Sequence, residues 1–262
     1  MIKKLIERGR ELIKTKARTL NLIRPSYPPD FSDENIAICN KVKPYTMTSN
    51  ERVNALIDAV RYIVKNNIEG DMVECGVWKG GSAMAMMLTL IELNDRTREF
   101  YLYDTFSGMT APGVNDVSYE GQKAHESFSY LKTSEDASKW CLSALDEVKT
   151  NVRNTGYQLS QVNFIKGKVE NTIPKHIPSK IALLRLDTDW YESTKHELTY
   201  LFPRLQKNGV LLIDDYGHWV GARKAVDEYF AENEICMLLN RIDYTGRIGV
   251  KAGCGQGDRA AT

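Results

Sequence analysis

The sequence predicts an α/β protein whose mostly parallel sheet carries helices on both faces. From Gly70 onward, short apolar runs alternate with segments that repeat apolar residues at helical spacing. A glycine-rich turn follows the first of these runs, and acidic residues follow several of the others. This alternation is typical of parallel strands joined by helices. The 262 residues suffice for one such domain with helical additions, and its core needs no disulfide.

Residues 1–50 precede this alternation and predict a helical or lid segment. Residues 1–24 mix Lys and Arg with Leu and Ile at helical spacing and contain no long apolar stretch. They therefore predict neither a signal peptide nor a membrane-spanning helix. We expect this helix to dock on the domain or on a partner subunit, and a membrane surface is the less favoured alternative.

The α/β domain is predicted at residues 51–252 and a tail at 253–262. Thr48 and Glu51 fit a capping box that opens an amphipathic helix. The strands predicted after it are 72–75, 100–103, 162–166, 181–186 and 210–213, and the helices are 82–93, 193–205 and 222–232. Residues 234–240 and 247–251 predict an antiparallel hairpin at the end of the sheet. Residues 105–161 form an insertion with a helical pattern across 137–152, and such insertions usually cover or build a binding site.

Charge and cysteine usage exclude several classes of function. The 35 Lys and Arg residues balance 34 Asp and Glu residues, so no basic field for nucleic acid is expected. The five cysteines form neither a Cys-x-x-Cys pair nor a zinc spacing. They are therefore expected to be reduced thiols in a cytoplasmic protein.

The turn after the first predicted strand is the most informative part of the sequence. The strand carries Glu74, the chain turns through Gly76, Gly80 and Gly81, and a helix begins at Ser82. Small residues let backbone approach a ligand, and the helix amino end offers free N–H groups. A dinucleotide site would need Gly-x-Gly-x-x-Gly, whereas the spacing here is Gly-x-x-x-Gly-Gly. Glu74 would repel a pyrophosphate but attract an ammonium group, which favours S-adenosylmethionine over NAD. A tight turn without a ligand is the alternative.

Two later turns extend this prediction. Asp104 ends the second predicted strand, where an acid can accept hydrogen bonds from both hydroxyls of a ribose. A local turn is the alternative role for this residue. Gly167 to Val169 follow the third strand, where an adenine ring would be flanked, although this segment alone is a weak signal.

Acidic clusters follow the fourth and fifth predicted strands. Asp187 and Asp189 belong to the first cluster, and Asp214, Asp215 and His218 belong to the second. Such carboxylates would repel each other unless a cation lies between them, and oxygen ligands suit Mg²⁺ or Mn²⁺. A divalent ion would activate a hydroxyl acceptor, and a carboxylate would take its proton. We assign Asp189 as the base and His218 as the alternative. Helix capping by the Asp-Asp pair is the structural alternative.

Four motifs occur in a fixed order along the chain. They are Val-Glu-Cys-Gly-Val-Trp-Lys-Gly-Gly at 73–81, Asp-Thr-Phe-Ser-Gly-Met at 104–109, Leu-Asp-Thr-Asp-Trp-Tyr-Glu-Ser-Thr at 186–194 and Ile-Asp-Asp-Tyr at 213–216. Together they resemble the macrocin (TylF-type) O-methyltransferase family, and the resemblance extends from residue 45 to residue 251. It implies a class I methyltransferase fold with a Rossmann-like sheet, lid helices, S-adenosylmethionine, Mg²⁺ and a sugar hydroxyl acceptor. Members of this family are often dimers or larger homo-oligomers.

The resemblance also implies roles for individual residues. It makes Asp187, Asp214 and Asp215 the metal ligands and Asp189 the base. With the turns above, the predicted cofactor-binding positions are Thr46, Met47, Glu74, Gly76, Gly80, Ser82, Asp104, Phe106, Gly108, Gly167, Val169 and Asp187. The segment of Thr46 and Met47 is expected to close over the cofactor.

Three functions remain open at this point. The first is methylation of a sugar hydroxyl on a glycosylated natural product or saccharide. The second keeps the cofactor and metal but methylates a phenol, as catechol-type enzymes do. The third is a module that binds the cofactor without catalysis. The aromatic residues near the acids, Trp190, Tyr191, Tyr216 and Trp219, are expected to serve packing more than sugar binding. The acceptor itself is not encoded in any motif.

Overall fold

A computed structural model gives the structure of residues 27–253. The helix predicted at 1–24 and the predicted tail, apart from its first residue, lie outside the described residues. The chain divides into two compact units, Met1–Ala37 and Ile38–Thr262, and the sheet and the cavity described below belong to the second. The domain boundaries predicted near residues 50 and 252 stay predictions.

The described residues contain helices and strands in alternation. The α-helices are α1 (Asp33–Val42), α2 (Asn50–Lys65), α3 (Gly81–Glu92), α4 (Ala124–Leu131), α5 (Leu145–Arg153), α6 (Val169–Thr172), α7 (Tyr191–Leu201) and α8 (Val220–Glu232). Short 3₁₀ turns lie at Lys43–Tyr45, Leu159–Gln161 and Phe202–Arg204. The strands are β1 (Asp71–Cys75), β2 (Phe100–Asp104), β3 (Lys132–Ser134), β4 (Ala137–Ser138), β5 (Val162–Lys166), β6 (Ile181–Leu186), β7 (Leu205–Ile213), β8 (Asn240–Arg241) and β9 (Arg247–Val250).

A seven-stranded sheet with the order β5-β2-β1-β6-β7-β9-β8 forms the centre of this unit. The first five strands in this order pair in parallel, and β9 pairs antiparallel with both β7 and β8. The predicted fold class is therefore confirmed. Because β1, β6 and β7 are neighbours, the turns that follow them meet at one edge of the sheet, as the acidic motifs predicted.

Apolar burial explains why these segments form the sheet and its helical layers. Every residue of β6 is buried, and β1 is buried from its second residue onward. Such continuous burial is expected where helices cover both faces of a parallel sheet. Helix α2 buries one stripe, formed by Val53, Leu56, Ile57, Ala59, Val60 and Ile63.

Three local predictions are corrected. The cap of α2 is Ser49, whose hydroxyl accepts a hydrogen bond from the Arg52 N–H at 3.1 Å, whereas Thr48 accepts one from Arg185. The helical pattern predicted across 137–152 begins as strand β4, and only its second half forms the helix α5. The first hairpin strand, predicted at 234–240, is reduced to Asn240–Arg241, and the preceding Ile235, Met237 and Leu239 pack on the core without strand pairing.

The insertion is tied to the edge of the sheet that carries the acids. Asp116 is buried, and its carboxylate accepts hydrogen bonds from the Gly113 N–H at 2.6 Å and from the Tyr191 N–H at 2.9 Å. The Val220 N–H donates to the carbonyl oxygen of Val117 at 2.8 Å. The insertion is thus held at the amino ends of α7 and α8. Among residues 27–253, no helix has the length and apolarity needed to cross a membrane.

Candidate active site

A cavity of about 400 Å³ opens at the carboxyl edge of the sheet. This volume lies within the range of small-molecule sites in proteins. Most of the residues predicted for the site line it, namely Thr46, Met47, Glu74, Gly76, Ser82, Asp104, Gly108, Gly167, Val169, Asp187, Asp189, Asp214, Asp215 and His218. The strand ends and turns that the sequence predicts for the site therefore line one cavity.

Gly80 and Phe106 were predicted as cofactor-binding positions but do not line this cavity. Gly80 has a φ of 88° and precedes the first turn of α3, where an added Cβ would lie 3.3 Å from a methyl group of Val148. The side chain of Phe106 is buried, and its backbone N–H donates to Asp104 at 2.6 Å. Both residues shape the turns instead of facing the cavity.

Glycines occupy the turn after β1 because neighbouring segments of the protein leave no room for side chains there. An added Cβ at Gly76 would overlap the carbonyl oxygen of Asp187, because the ends of β1 and β6 approach closely there. An added Cβ at Gly81 would lie 2.7 Å from the Cβ of Thr46. The sequence prediction attributed these glycines to a ligand, whereas the structure shows that neighbouring backbone segments already require them.

The cofactor end of the cavity is the part where the sequence predicts cofactor binding, at Glu74, Asp104 and Gly167, and Asp104 organises it. Its carboxylate accepts hydrogen bonds from the N–H groups of Val77 at 2.8 Å, Trp78 at 3.0 Å and Phe106 at 2.6 Å. Burial raises the pKa of Asp104, and these N–H groups oppose that shift by stabilising the charged form. Trp78 and Phe106 both have positive φ, of 47° and 51°. Asp104 thus fixes two strained turns around the cavity.

Glu74 lies beside a buried guanidinium group. Its Oε1 accepts a hydrogen bond from Arg185 at 2.7 Å, and its Oε2 has no partner within residues 27–253. Burial raises the pKa of Glu74 to about 7, although Arg185 acts in the opposite direction. The second oxygen is therefore a buried acceptor at a residue that lines the cavity.

The acceptor end of the cavity is the part where the sequence predicts the metal and the acceptor hydroxyl, and three aspartates form its centre. Within residues 27–253, Asp187, Asp214 and Asp215 each offer one oxygen atom, and these atoms lie within 4.8 Å of one another. Arg185 contacts Asp187 and Asp214, each at 2.7 Å. Arg52 contacts the other oxygen of Asp214. Asp215 Oδ2 is buried and has no hydrogen-bond donor among the described residues.

Negative charge exceeds positive charge at this end. Two guanidinium groups, those of Arg52 and Arg185, face four carboxylates here, which are Asp187, Asp189, Asp214 and Asp215, and Arg185 also pairs with Glu74 of the cofactor end. Burial and mutual repulsion raise the pKa values of Asp187 and Asp215 well above their usual range, and at Asp187 the neighbouring Arg185 opposes this shift. A cation placed among these oxygens would relieve the repulsion.

Asp189 and His218, the two predicted bases, differ in their surroundings. Asp189 has a φ of 68°, a left-handed conformation that is uncommon outside glycine and that clusters at functional sites. Burial raises the pKa of Asp189 to about 7. Burial lowers the pKa of His218, whose Nδ1 lies 3.4 Å from the hydroxyl oxygen of Tyr244. Both side chains line the cavity.

Arg185 and Arg52 belong to the site but were not predicted from the sequence. Arg185 is fully buried near the carboxyl end of β6, where it compensates three carboxylates. An arginine inside an apolar strand is rarely buried without partners, and this signal could have identified it. Arg52 lies on α2 and also contacts Asp243 at 2.9 Å, and no local pattern marks it.

Trp190 and Trp219 are buried, as predicted, and pack with Trp140. The three ring centroids lie 5.1–6.2 Å apart in edge-to-face geometry. Trp140 comes from the insertion and also lines the cavity. The insertion therefore contributes a wall to the acceptor end.

Two O-methyltransferases of known name are related to this chain in sequence. Demethyldecarbamoylnovobiocin O-methyltransferase of Streptomyces niveus is 34% identical over 205 residues, which cover 77% of this chain and 74% of the relative. The 8-demethyl-8-(2,3-dimethoxy-α-L-rhamnosyl)-tetracenomycin-C 4′-O-methyltransferase of Streptomyces olivaceus is 32% identical over 203 residues, again 77% of this chain and 74% of the relative.

The solved structure of the O-methyltransferase NovP superimposes on this chain with a TM-score of 0.70 and 31% identity, and the match covers 80% of this chain and 83% of NovP. The fold is thus the class I fold of S-adenosylmethionine-dependent methyltransferases. Residues 31–248 match the family described as macrocin-O-methyltransferase (TylF). The chain therefore belongs to the macrocin-O-methyltransferase family and is an O-methyltransferase.

Proposed function

We propose that this O-methyltransferase methylates a hydroxyl group of a sugar on a glycosylated natural product or saccharide, with a divalent cation bound among the acids. One observation carries the proposal. The turn with Glu74 and Asp104 and the acidic cluster line the same cavity, so methyl donor and acceptor would meet there. The rhamnosyl group in the name of the tetracenomycin relative supports a sugar as the acceptor.

The residues at the cofactor end fit S-adenosylmethionine. Glu74 Oε2 is a buried acceptor without a partner among the described residues, which suits an ammonium group. Ser82, in the first turn of α3, lies where free backbone N–H groups suit a carboxylate. Asp104 and Gly167 would lie at the ribose and adenine, and Thr46 and Met47 would cover the cofactor. S-adenosylmethionine would supply the methyl group from its sulfonium centre.

The acidic cluster fits Mg²⁺ or Mn²⁺. Its donors are all carboxylate oxygens, which these hard cations prefer, and the cluster contains an orphan oxygen at Asp215. Asp187, Asp214 and Asp215 would hold the ion. A divalent cation there would supply a Lewis acid that lowers the pKa of the acceptor hydroxyl.

Asp189 would accept the proton of the acceptor hydroxyl. Its carboxylate lines the cavity two residues after Asp187, and its strained backbone holds it there. Asp189 would hold this proton while the acceptor oxygen receives the methyl group that S-adenosylmethionine would supply. Trp140 and Trp219 would exclude water from this part of the cavity.

The test compares pH–rate profiles of Asp189→Asn and His218→Ala. General-base catalysis contributes about 10²–10⁴-fold, so Asp189→Asn is expected to lower kcat by this factor. In the wild type, the rate should rise with pH as Asp189 loses its proton. This rise should lie at or below pH 7, because a bound cation lowers the pKa of Asp189. The rising limb should vanish in Asp189→Asn and persist in His218→Ala. The reverse pattern would make His218 the base.

A second test separates sugar from phenol acceptors. Initial rates with a glycoside that carries free neighbouring hydroxyls are compared with rates for a dihydroxyphenyl compound. Faster turnover of the phenol would replace the sugar proposal with the phenolic one.

We also propose that the protein is a cytoplasmic homo-oligomer. The free cysteines among the described residues support the compartment, and light scattering would test the assembly.

A further inference from the structure

Three aromatic rings meet at the mouth of the cavity. They belong to Tyr119 in the insertion, His218 after β7 and Tyr244 before β9, and we call them the aromatic rim. Their centroids lie 5.7, 6.0 and 6.1 Å apart, so the rings form a triangle. His218 and Tyr244 line the cavity, and the Tyr119 ring packs edge-to-face against both of them.

Backbone hydrogen bonds hold the three segments of the rim together. The Tyr119 N–H donates to the carbonyl oxygen of His218 at 2.8 Å. The Gly217 N–H donates to the carbonyl oxygen of Thr245 at 2.8 Å, and an added Cβ at Gly217 would overlap the Tyr244 carbonyl oxygen. The rim is therefore preorganised, which lowers the entropic cost of binding a ligand.

The rim is joined directly to the acidic cluster. The His218 N–H donates to the carbonyl oxygen of Asp215 at 3.0 Å. The Thr245 hydroxyl donates to the carbonyl oxygen of Asp214 at 2.8 Å. A hydroxyl bound at the acids would consequently leave the rest of its molecule beside these rings.

The rim offers ring surface more than hydrogen bonds. Tyr119 and Tyr244 are 54% and 57% exposed. However, the Tyr119 hydroxyl already donates to Glu120 at 3.0 Å, and the Tyr244 hydroxyl lies 3.4 Å from His218 Nδ1. With the hydroxyl groups engaged, what remains open to a ligand is mainly apolar carbon, and aromatic rings prefer offset or edge-to-face contacts with other rings.

We infer that the aromatic rim is a subsite for a flat, aromatic aglycone attached to the acceptor sugar. This inference rests on the proposed function, because it presumes that the sugar hydroxyl lies at the acids. A bare sugar would reach the acids but leave the rim uncovered. Tyr119 and Tyr244 are thus specificity-determining residues, whereas the carboxylates select only a hydroxyl.

The experiment measures binding and turnover of two probes with Mg²⁺ present. One probe is 4-methylumbelliferyl α-L-rhamnoside and the other is methyl α-L-rhamnoside, which lacks the aromatic group. Binding is measured by calorimetry with S-adenosylhomocysteine present, and turnover with S-adenosylmethionine. Each aromatic contact is worth roughly 2–12-fold in affinity. Tyr119→Ala and Tyr244→Ala should each weaken the umbelliferyl probe by this factor, and more than they weaken the methyl glycoside.

Two matched variants sharpen the result. Tyr130→Ala removes a tyrosine of the insertion that is 90% exposed and lies outside the cavity lining, and it should leave both probes unaffected. Tyr244→Phe keeps the ring and removes the hydroxyl, and it should retain the preference for the umbelliferyl probe. Loss of the preference in Tyr244→Phe would overturn the assignment of ring surface as the determinant.

Other outcomes distinguish failure of this inference from failure of the proposed function. If wild type methylates both glycosides with equal kcat/KM, the sugar proposal stands and the aglycone subsite is overturned. The same holds if the rim variants weaken both probes equally. If neither glycoside binds or reacts, the sugar acceptor and the aglycone subsite are overturned together.

Discussion

At the cofactor end of the cavity a carboxylate is satisfied by nearby backbone, whereas at the acceptor end carboxylates face one another. Asp104 accepts three backbone N–H groups. Asp215, by contrast, has an oxygen without a donor among the described residues, and Asp214 depends on guanidinium groups from α2 and β6. The backbone of the protein thus supplies three donors to Asp104. The acceptor end is incomplete in charge, which is the expected state of a site that awaits a cation.

The largest test of this contrast is removal of the cation. Chelation with EDTA should abolish turnover, and Asp215→Ala should lower it by at least about 10³-fold even with added Mg²⁺, since a metal contributes several kcal/mol of transition-state stabilisation. Titration with Mn²⁺, followed by electron paramagnetic resonance, should show a site lost in the variant. Asp146→Ala removes an exposed acid of α5 and serves as the control. Full activity after chelation would refute the cation site.

The next largest effect concerns the charge balance around Arg185. Arg185→Met leaves buried carboxylates without their cation and should lower the free energy of unfolding by about 3–5 kcal/mol, as breaking buried ion pairs does. Urea denaturation would measure the change. Arg61→Met is the matched control, because its 3.0 Å ion pair with Glu92 is exposed and should contribute about 0.2–1 kcal/mol. Equal losses in both variants would contradict a special role for Arg185.

A smaller effect is expected at the cofactor end. Asp104→Asn weakens charge-assisted hydrogen bonds to the two strained turns, and bonds to charged groups contribute about 1.5–3 kcal/mol. Calorimetry should show S-adenosylhomocysteine binding roughly 10–150-fold more weakly. Asp95→Asn changes an acid that accepts hydrogen bonds from Thr97 and Arg98 outside the cavity lining, and it should bind normally. Wild-type affinity in Asp104→Asn would show that the loops hold their shape without this charge.

The smallest effect links the cation to a thiol. Burial, together with the charges of Asp189, Asp187 and Asp215, raises the pKa of Cys141 to about 12. A cation that neutralises these acids should lower this pKa and increase the thiolate fraction at pH 8. Alkylation of Cys141, followed by peptide mass spectrometry, should therefore accelerate on addition of Mg²⁺. The exposed Cys236 is the internal control. No change at Cys141 would argue that the cation binds elsewhere.

The two ends also differ in how well the sequence predicted them. Glu74 and Asp104 lie at the ends of β1 and β2, and the acid pairs follow β6 and β7, so strand order brings them to one edge. Gly80, predicted as a cofactor-binding position, lies outside the cavity lining, because a glycine that caps a helix and a glycine beneath a ligand have the same local pattern. Tyr119 and Tyr244 come from loops far apart in sequence, and only tertiary contacts bring their rings together.

Close contact between the ends of β1 and β6 has a consequence for how such an enzyme changes its acceptor. The Asp187 N–H donates to the Cys75 carbonyl oxygen at 2.8 Å, and Gly76 leaves no room for a side chain against Asp187. The turn at Gly76 and the acidic residue Asp187 therefore form one rigid unit. Substitution there would damage both halves of the reaction at once. We expect new acceptors to be acquired by exchange of Tyr119 and Tyr244 in the loops, while Asp243 and Thr245, which contact Arg52 and Asp214, are retained with the chemistry.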